Sequence, residues 1–198
     1  MAGTRSSVTA HLTPAALKRT IVVGTSGSGK TTVAGRIAAI LGVAHIELDA
    51  LYWGPDWQPR DLDIFRQEVE SAVSADRWVL DGNYSYVRPI TWPRATHVVW
   101  LNYSFPRVMF QLTRRTIRRA LTGVELFAGN RETLRKSFFS RDSIILWGLT
   151  TYHRRRRDYP ILFKSPEYAH LQVTELRSPA RTEQFLEALS SWRAQAHF

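Results

Sequence analysis

The chain has 198 residues, a formal net charge of +10 and no cysteine. Its length suits one domain with a well-buried core and leaves no room for two large ones; without cysteine, disulfides and thiolate metal sites are excluded. No apolar run approaches a membrane span, and the first twenty residues, which include Arg5, His11, Lys18 and Arg19, show no secretory pattern, so a soluble cytoplasmic protein is expected.

Residues 1–19 read as an N-terminal extension, because Thr13-Pro14 starts at most a short helix and nothing further upstream looks like core. Residues 20–198 read as a single α/β domain. Thr20 to Gly24 is predicted as the first strand, built on Ile21-Val22-Val23, and Lys30 to Leu41 as the helix after it, closed by Gly42. Between them runs Gly24-Thr25-Ser26-Gly27-Ser28-Gly29-Lys30-Thr31, with the spacing G-x-x-x-x-G-K-[ST]. Glycines let such a loop curl so that successive N–H groups point inward at a phosphate chain, and the helix adds its positive end. The candidate nucleotide-binding residues are Gly24, Ser26, Gly27, Ser28, Gly29, Lys30, Thr31 and Thr32. Lys30 is expected to reach the terminal phosphates, and the Thr31 hydroxyl to ligate Mg²⁺. The motif implies a nucleoside triphosphate and is silent on what is done with it.

His45 to Asp49 reads as a short second strand with Glu47 and Asp49 on one face. A turn-rich loop follows from Tyr52 to Arg60, carrying Tyr52, Trp53 and Trp57. Asp61 opens a helix with Phe65, Val69 and Val73 at period four, and Trp78-Val79-Leu80 is the third strand, ending at Asp81-Gly82. After an irregular segment with Tyr84, Arg88 and Pro89, His97 to Leu101 gives the fourth strand. Strands that alternate with helices and read as continuous apolar runs imply a parallel sheet covered on both faces.

A helix is predicted from Phe105 to about Leu121, then a mobile connection over 122–136. A second helix, capped between Ser140 and Asp142, is predicted to end before Pro160. Leu171 to Leu176 is the fifth strand, and Ser178-Pro179 caps a last amphipathic helix with Phe185, Leu186 and Leu189 on its inner side. The basic charge is concentrated in this half: residues 101–198 hold 17 Lys/Arg against 8 Asp/Glu, whereas residues 1–100 hold 10 against 9. Arg114 with Arg118, and Arg115 with Arg119, are like-charge i,i+4 pairs that favour a counter-anion. An arginine-bearing lid over about 105–157 is the mechanistic expectation for moving a phosphoryl group away from water.

Ligands of open α/β sheets bind outside the carboxyl ends of the strands. Asp81 has the form of the acidic residue that holds Mg²⁺, usually through water, and Asp49 stands where a phosphoryl acceptor would approach and could orient or deprotonate an acceptor hydroxyl, or hold an Mg²⁺ water. Tyr52, Trp53, Arg60 and Arg88 complete the candidate acceptor-binding set; the aromatics either stack a base or pack on their own domain.

These motifs taken together, GTSGSGKT, HIELDALYW, WVLDGNY, VVWL with its arginine-rich helix, FAGNRE, and FSRDSIILW with its RRRRDYP end, resemble the small P-loop kinases of adenylate-kinase type. More closely, they resemble the bacterial group labelled "topology modulation protein" or adenylate-kinase-related kinase. The resemblance implies a five-stranded parallel sheet in the order 2-3-1-4-5, ATP with Mg²⁺, and a lid after the fourth strand. It matches Gly29, Lys30, Thr31 and Thr32 to the phosphate motif, and Asp49 and Asp81 to the acidic strand ends. Arg115, Arg119, Arg154 and Arg157 resemble the lid arginines, with several adjacent candidates fitting equally well. Two departures bear on the acceptor. Ser26 stands where nucleoside monophosphate kinases typically carry proline, and Asp81-Gly82-Asn83-Tyr84-Ser85 where they read Asp-Gly-Phe-Pro-Arg; the loop is closer to that of sugar-acid and shikimate-type kinases.

The expectation is therefore an ATP-dependent kinase, monomeric or homodimeric, for a nucleoside monophosphate first and a hydroxyl-bearing metabolite second. The alternative is a nucleic-acid-associated P-loop ATPase or regulator, suggested by the basic half, although no nucleic-acid-binding signature is apparent. A GTPase is disfavoured because Asn102 is not followed by lysine.

Overall fold

The computed structural model describes residues 17–132 and 144–195. Five parallel strands, β1 (Arg19–Gly24), β2 (Ala44–Glu47), β3 (Trp78–Asp81), β4 (His97–Leu101) and β5 (Gln172–Leu176), form one sheet in the order β2-β3-β1-β4-β5. The helices are α1 (Lys30–Leu41), α2 (Leu48–Tyr52), α3 (Leu62–Ala72), α4 (Arg88–Thr91), α5 (Phe105–Thr122), α6 (Ile144–Phe163) and α7 (Pro179–Gln195).

Successive strand residues point to opposite faces, and both faces are buried. Val22, Val99 and Leu101 pack with Ile37 of α1 and with Phe185 and Leu186 of α7. Ile21, Val23, Leu80, Val98 and Trp100 pack with Phe65 and Val69 of α3 and with Trp92 and Tyr159. Helix α6 belongs to both layers, through Tyr152 in the first and Tyr159 in the second. Local chemistry sets the helix ends. Asp61 accepts hydrogen bonds from the Asp63 and Ile64 N–H groups at 2.9 and 3.1 Å, a cap worth about 1 kcal/mol. Gly42, at φ 67°, closes α1 with its N–H on the Ala38 carbonyl.

Four sequence readings are altered. Strand β2 stops at Glu47, not Asp49, because Leu48, Leu51 and Tyr52 share one face at i, i+3, i+4 in α2 and all reach the core, which strand alternation would forbid. Helix α6 continues through Pro160 to Phe163. Proline removes one helical hydrogen bond there, but Tyr159 and Phe163 stack 5.7 Å apart and both meet Trp100, so the aromatic burial outweighs it. The connection after α5 is anchored as far as it is described. Glu125 bridges Arg131 across a tight turn at Phe127–Gly129, and Asn130 is buried; residues 133–136 and the expected cap at 140–142 lie outside the described residues. Leu17, in the expected extension, is buried in the core, and residues 1–16 are not described.

Candidate active site

The loop between β1 and α1 is held open from behind. Gly27 has φ 84° and backs onto α5 so closely that a Cβ would lie 2.6 Å from the Leu112 Cβ, so no larger residue fits. Gly29, at φ 91°, faces the other way: a Cβ there would meet nothing within 4 Å. Helix α1 starts directly after it with no acidic side chain in its first turn, leaving its positive end free for an anion. The Ser28 hydroxyl is buried with no hydrogen-bond partner, as a group awaiting a ligand oxygen would be. Ser26 is half-buried, and Thr31 and Thr32 are exposed at the mouth.

Charged groups from four other elements converge on Lys30. Its ammonium donates to the Thr25 carbonyl at 3.3 Å. Burial, together with the nearby Arg155 and Arg115, pushes its pKa down to about 8, against the pull of Asp49 and Asp81. Burial likewise pushes the Arg115 and Arg155 guanidinium groups below their ordinary values, and the Arg115 Nε has no partner. Three cations enclosed around a loop of N–H groups make a site for a polyanion.

The acidic residues are each held by a neighbour. Asp49, in the first turn of α2, accepts a 2.6 Å hydrogen bond from the Tyr84 hydroxyl on its Oδ1. Asp81 is buried at the end of β3 with His45 Nε2 at 3.3 Å from its Oδ2; that hydrogen bond raises the His45 pKa, while burial and the Asp81 charge raise that of Glu47. A hydroxyl at Thr31 and a carboxylate at Asp81 are hard oxygen donors that fit Mg²⁺, which takes few protein ligands and keeps phosphate oxygens and water for the rest. The described residues contain no cluster of three or more acidic or histidine side chains placed to cage a metal.

Of the expected lid arginines, the structure brings Arg115 to the loop. Arg119 pairs with Glu132 at 3.0 Å. On α6 it is Arg155 that reaches inward, donating to the Gly24 carbonyl at 3.4 Å, while Arg154 and Arg157 are exposed and Arg157 pairs with Asp158 at 2.9 Å. The sequence held a signal for this choice: Tyr152, Arg155 and Tyr159 lie at i, i+3, i+7, so one helix face carries all three. Of the acceptor candidates, Arg60 is bound to Glu68 of α3 by contacts of 2.7 and 2.8 Å. Tyr52 and Trp53 pack edge-on to each other, Tyr52 also meeting Phe65 and Tyr84, so they form a wall behind Asp49. Arg88 lies over the Trp92 ring at 5.3 Å. Sequence reasoning missed Asn83, Tyr84 and Tyr159 and left Arg155 among the adjacent arginine candidates; Asn83 and Tyr84 follow Asp81-Gly82, which places them at the same sheet end.

No protein-family model matches the sequence, and no curated protein does. Among solved structures, the chain is similar to a shikimate kinase from Bacteroides thetaiotaomicron at 14% identity and TM-score 0.50, over 91% of this chain and 98% of that one. A gluconokinase from Sinorhizobium meliloti 1021 matches at 18% identity and TM-score 0.48, over 91% of this chain and 93% of that one. The parallel sheet order, the glycine-rich loop after β1 and the likeness to that shikimate kinase together define a P-loop α/β fold. Among the described residues no helix is long and apolar enough to cross a membrane.

Proposed function

We propose that the chain is a phosphotransferase that moves the γ-phosphate of Mg-ATP to a small hydroxyl-bearing acceptor. The observation that carries this reading is Asp49: its carboxylate is fixed through one oxygen by Tyr84 and stands in the same charge cluster as Lys30, leaving Oδ2 for an acceptor hydroxyl. A monophosphate acceptor arrives ionised and needs no such group, whereas a hydroxyl gains from a carboxylate within reach. This moves the hydroxyl-bearing metabolite ahead of the nucleoside monophosphate that the motifs alone favoured. It also accords with Asn83-Tyr84 standing where adenylate-kinase-type enzymes carry Phe-Pro.

On this reading the loop N–H groups and Lys30 hold the phosphate chain, and Arg115 and Arg155, on the two helices of the lid region, offset charge on the transferring group. Asp49 Oδ2 receives the acceptor proton as the acceptor oxygen bonds to the γ-phosphorus and the bond to the ADP oxygen breaks. Thr31 and Asp81 would hold Mg²⁺, which supplies neutralisation of the phosphate charge. The test is a coupled ADP-release screen against hydroxylated metabolites, nucleoside monophosphates and DNA. Turnover with a hydroxylated acceptor is expected. Release stimulated only by DNA would move the reading to a nucleic-acid-associated ATPase, and Mg-ATP binding with no stimulated release would end the kinase reading.

A further inference from the structure

We propose that Asn83 is a positioning residue that extends the β1–β3 ladder into the phosphate loop with its side chain and, through Tyr159, sets Arg155 against that loop. The inference rests on the phosphate-binding reading of the loop given above.

The backbone register between β1 and β3 pairs Val22 with Asp81 and ends there. Continuing it by two residues sets Gly24 opposite Asn83, where no backbone pairing remains. The Asn83 amide takes its place: Nδ2 donates to the Gly24 carbonyl at 2.6 Å, and Oδ1 accepts from the Gly24 N–H at 3.4 Å. A primary amide carries one donor and one acceptor side by side, as the N–H and the carbonyl of a single residue at a strand end require. The orientation is fixed by chemistry, since a flipped amide would set N–H against N–H and oxygen against oxygen. Gly24 itself has no slack. A Cβ there would lie 2.6 Å from the Ser28 hydroxyl and 2.8 Å from the Leu101 carbonyl, so this point is where the loop's path is decided.

The second half of the contact comes from α6. The buried Tyr159 hydroxyl donates to Asn83 Oδ1 at 2.7 Å, and one turn earlier Arg155 donates to the same Gly24 carbonyl that Asn83 holds. The lid helix and the end of β3 thus meet on one peptide group. Burial raises the Tyr159 pKa, so the phenol keeps its proton and its donor role. The Lys30 ammonium and the Ser28 backbone N–H both donate to the Thr25 carbonyl within the loop; Asn83 touches neither residue, and acts through the backbone they depend on.

Two variants separate the halves. Asn83→Asp is isosteric and keeps an acceptor for Gly24 N–H and Tyr159, but sets a carboxylate oxygen against the Gly24 carbonyl. Tyr159→Phe keeps the ring packing and removes only the hydroxyl. By calorimetry, Asn83→Asp should weaken binding of both Mg-ATP and tripolyphosphate by at least about tenfold, and Tyr159→Phe by several-fold. The Tyr159→Phe effect should vanish in an Arg155→Gln background, because the two act as one unit. Melting-temperature losses with both affinities unchanged would reduce Asn83 and Tyr159 to packing and overturn the proposal. Hydrogen exchange at the Gly24 amide of the ligand-free protein gives a readout that needs no nucleotide. Protection should fall about tenfold in Asn83→Ala, and unchanged protection would also overturn the proposal. If the wild type binds neither probe while that protection does fall, the functional reading fails and the positioning role stands.

Discussion

The phosphate loop and the junction of the 53–59 loop with the 123–132 loop are both places where the backbone leaves regular structure, and they are held in opposite ways. In the phosphate loop the unusual conformations fall on glycines, and the residues that define it are consecutive. At the junction they fall on Asp56, Trp57 and Ala128, all with φ between 55° and 58°, a region that strains a residue with a Cβ. One amide makes most of the contacts that hold the junction, beside the Trp57 indole N–H on the Arg131 carbonyl at 3.4 Å. Asn130 accepts from the Trp57 N–H at 2.9 Å and donates to the Gly54 carbonyl at 2.8 Å and the Phe127 carbonyl at 2.7 Å, joining residues 73 and 76 positions away. The first region carries its geometry in its own backbone. The second borrows it across the fold, so a single substitution should undo it.

The largest expected effect is at Lys30. Lys30→Met should lower phosphoryl transfer by about 10³-fold or more, as loss of a pre-organised charge at the reacting group does, while leaving the fold intact. Wild-type turnover in that variant would remove the loop from the chemistry. The same residue gives a pH signature. Its folded pKa of about 8 lies below the ordinary lysine value of 10.5, so the unfolded chain holds more protons between those values. Stability of the ligand-free protein should therefore rise with pH across that window, and the rise should be absent in Lys30→Met. Binding of tripolyphosphate should weaken over the same window, as Lys30 loses the charge that the anion meets.

Next in size is Asp49→Asn, expected to lower turnover with a hydroxyl acceptor by about 10²-fold with Mg-ATP affinity unchanged. A loss that extra Mg²⁺ restores would instead assign Asp49 to metal binding and favour a monophosphate acceptor. At the junction, Asn130→Ala leaves the buried Gly54 carbonyl and the half-buried Trp57 N–H unpaired and should cost about 2 kcal/mol in stability. It should also raise the KM for the acceptor while the affinity for Mg-ATP holds, since the amide touches the loop beyond Asp49 and not the phosphate loop. Equal losses on both substrates would mean that the two regions are not separate. The smallest effects are expected at Arg154 and Arg157, where substitution by Gln should change transfer by less than about twofold, as exposed charges do. If those variants instead abolish a steeply salt-dependent affinity for DNA, the outer arginines serve a nucleic acid.

How much of this could be read from the sequence follows the same division. The strand, loop and first helix were legible because every determinant is local: an apolar run, glycines, a helical stripe and Gly42. Asp81 and Asp49 were legible as candidates, but the strand expected to carry Asp49 ended early, because burial of Leu48, Leu51 and Tyr52 decides that boundary and burial is a tertiary fact. The four consecutive arginines could not be separated by charge. Only the aromatic spacing around Arg155 does so, since Tyr152 and Tyr159 share its face of the helix expected before Pro160. Asn130 carried no signal, since an asparagine after a glycine reads as a turn whether or not its amide reaches another loop.

Asp81, Asn83 and Tyr84 each address a different segment, β2 through His45, the phosphate loop through Gly24, and α2 through Asp49. Three attachments within four residues make the length of this stretch as binding as its composition. An insertion or deletion of one residue here would shift the amide and the phenol by a strand's pleat and release both partners together. Homologous chains should accordingly differ in length at the outer loops and keep this stretch unbroken, and a single-residue deletion scan of the gene, scored by nucleotide binding, should show its sharpest intolerance between positions 81 and 84.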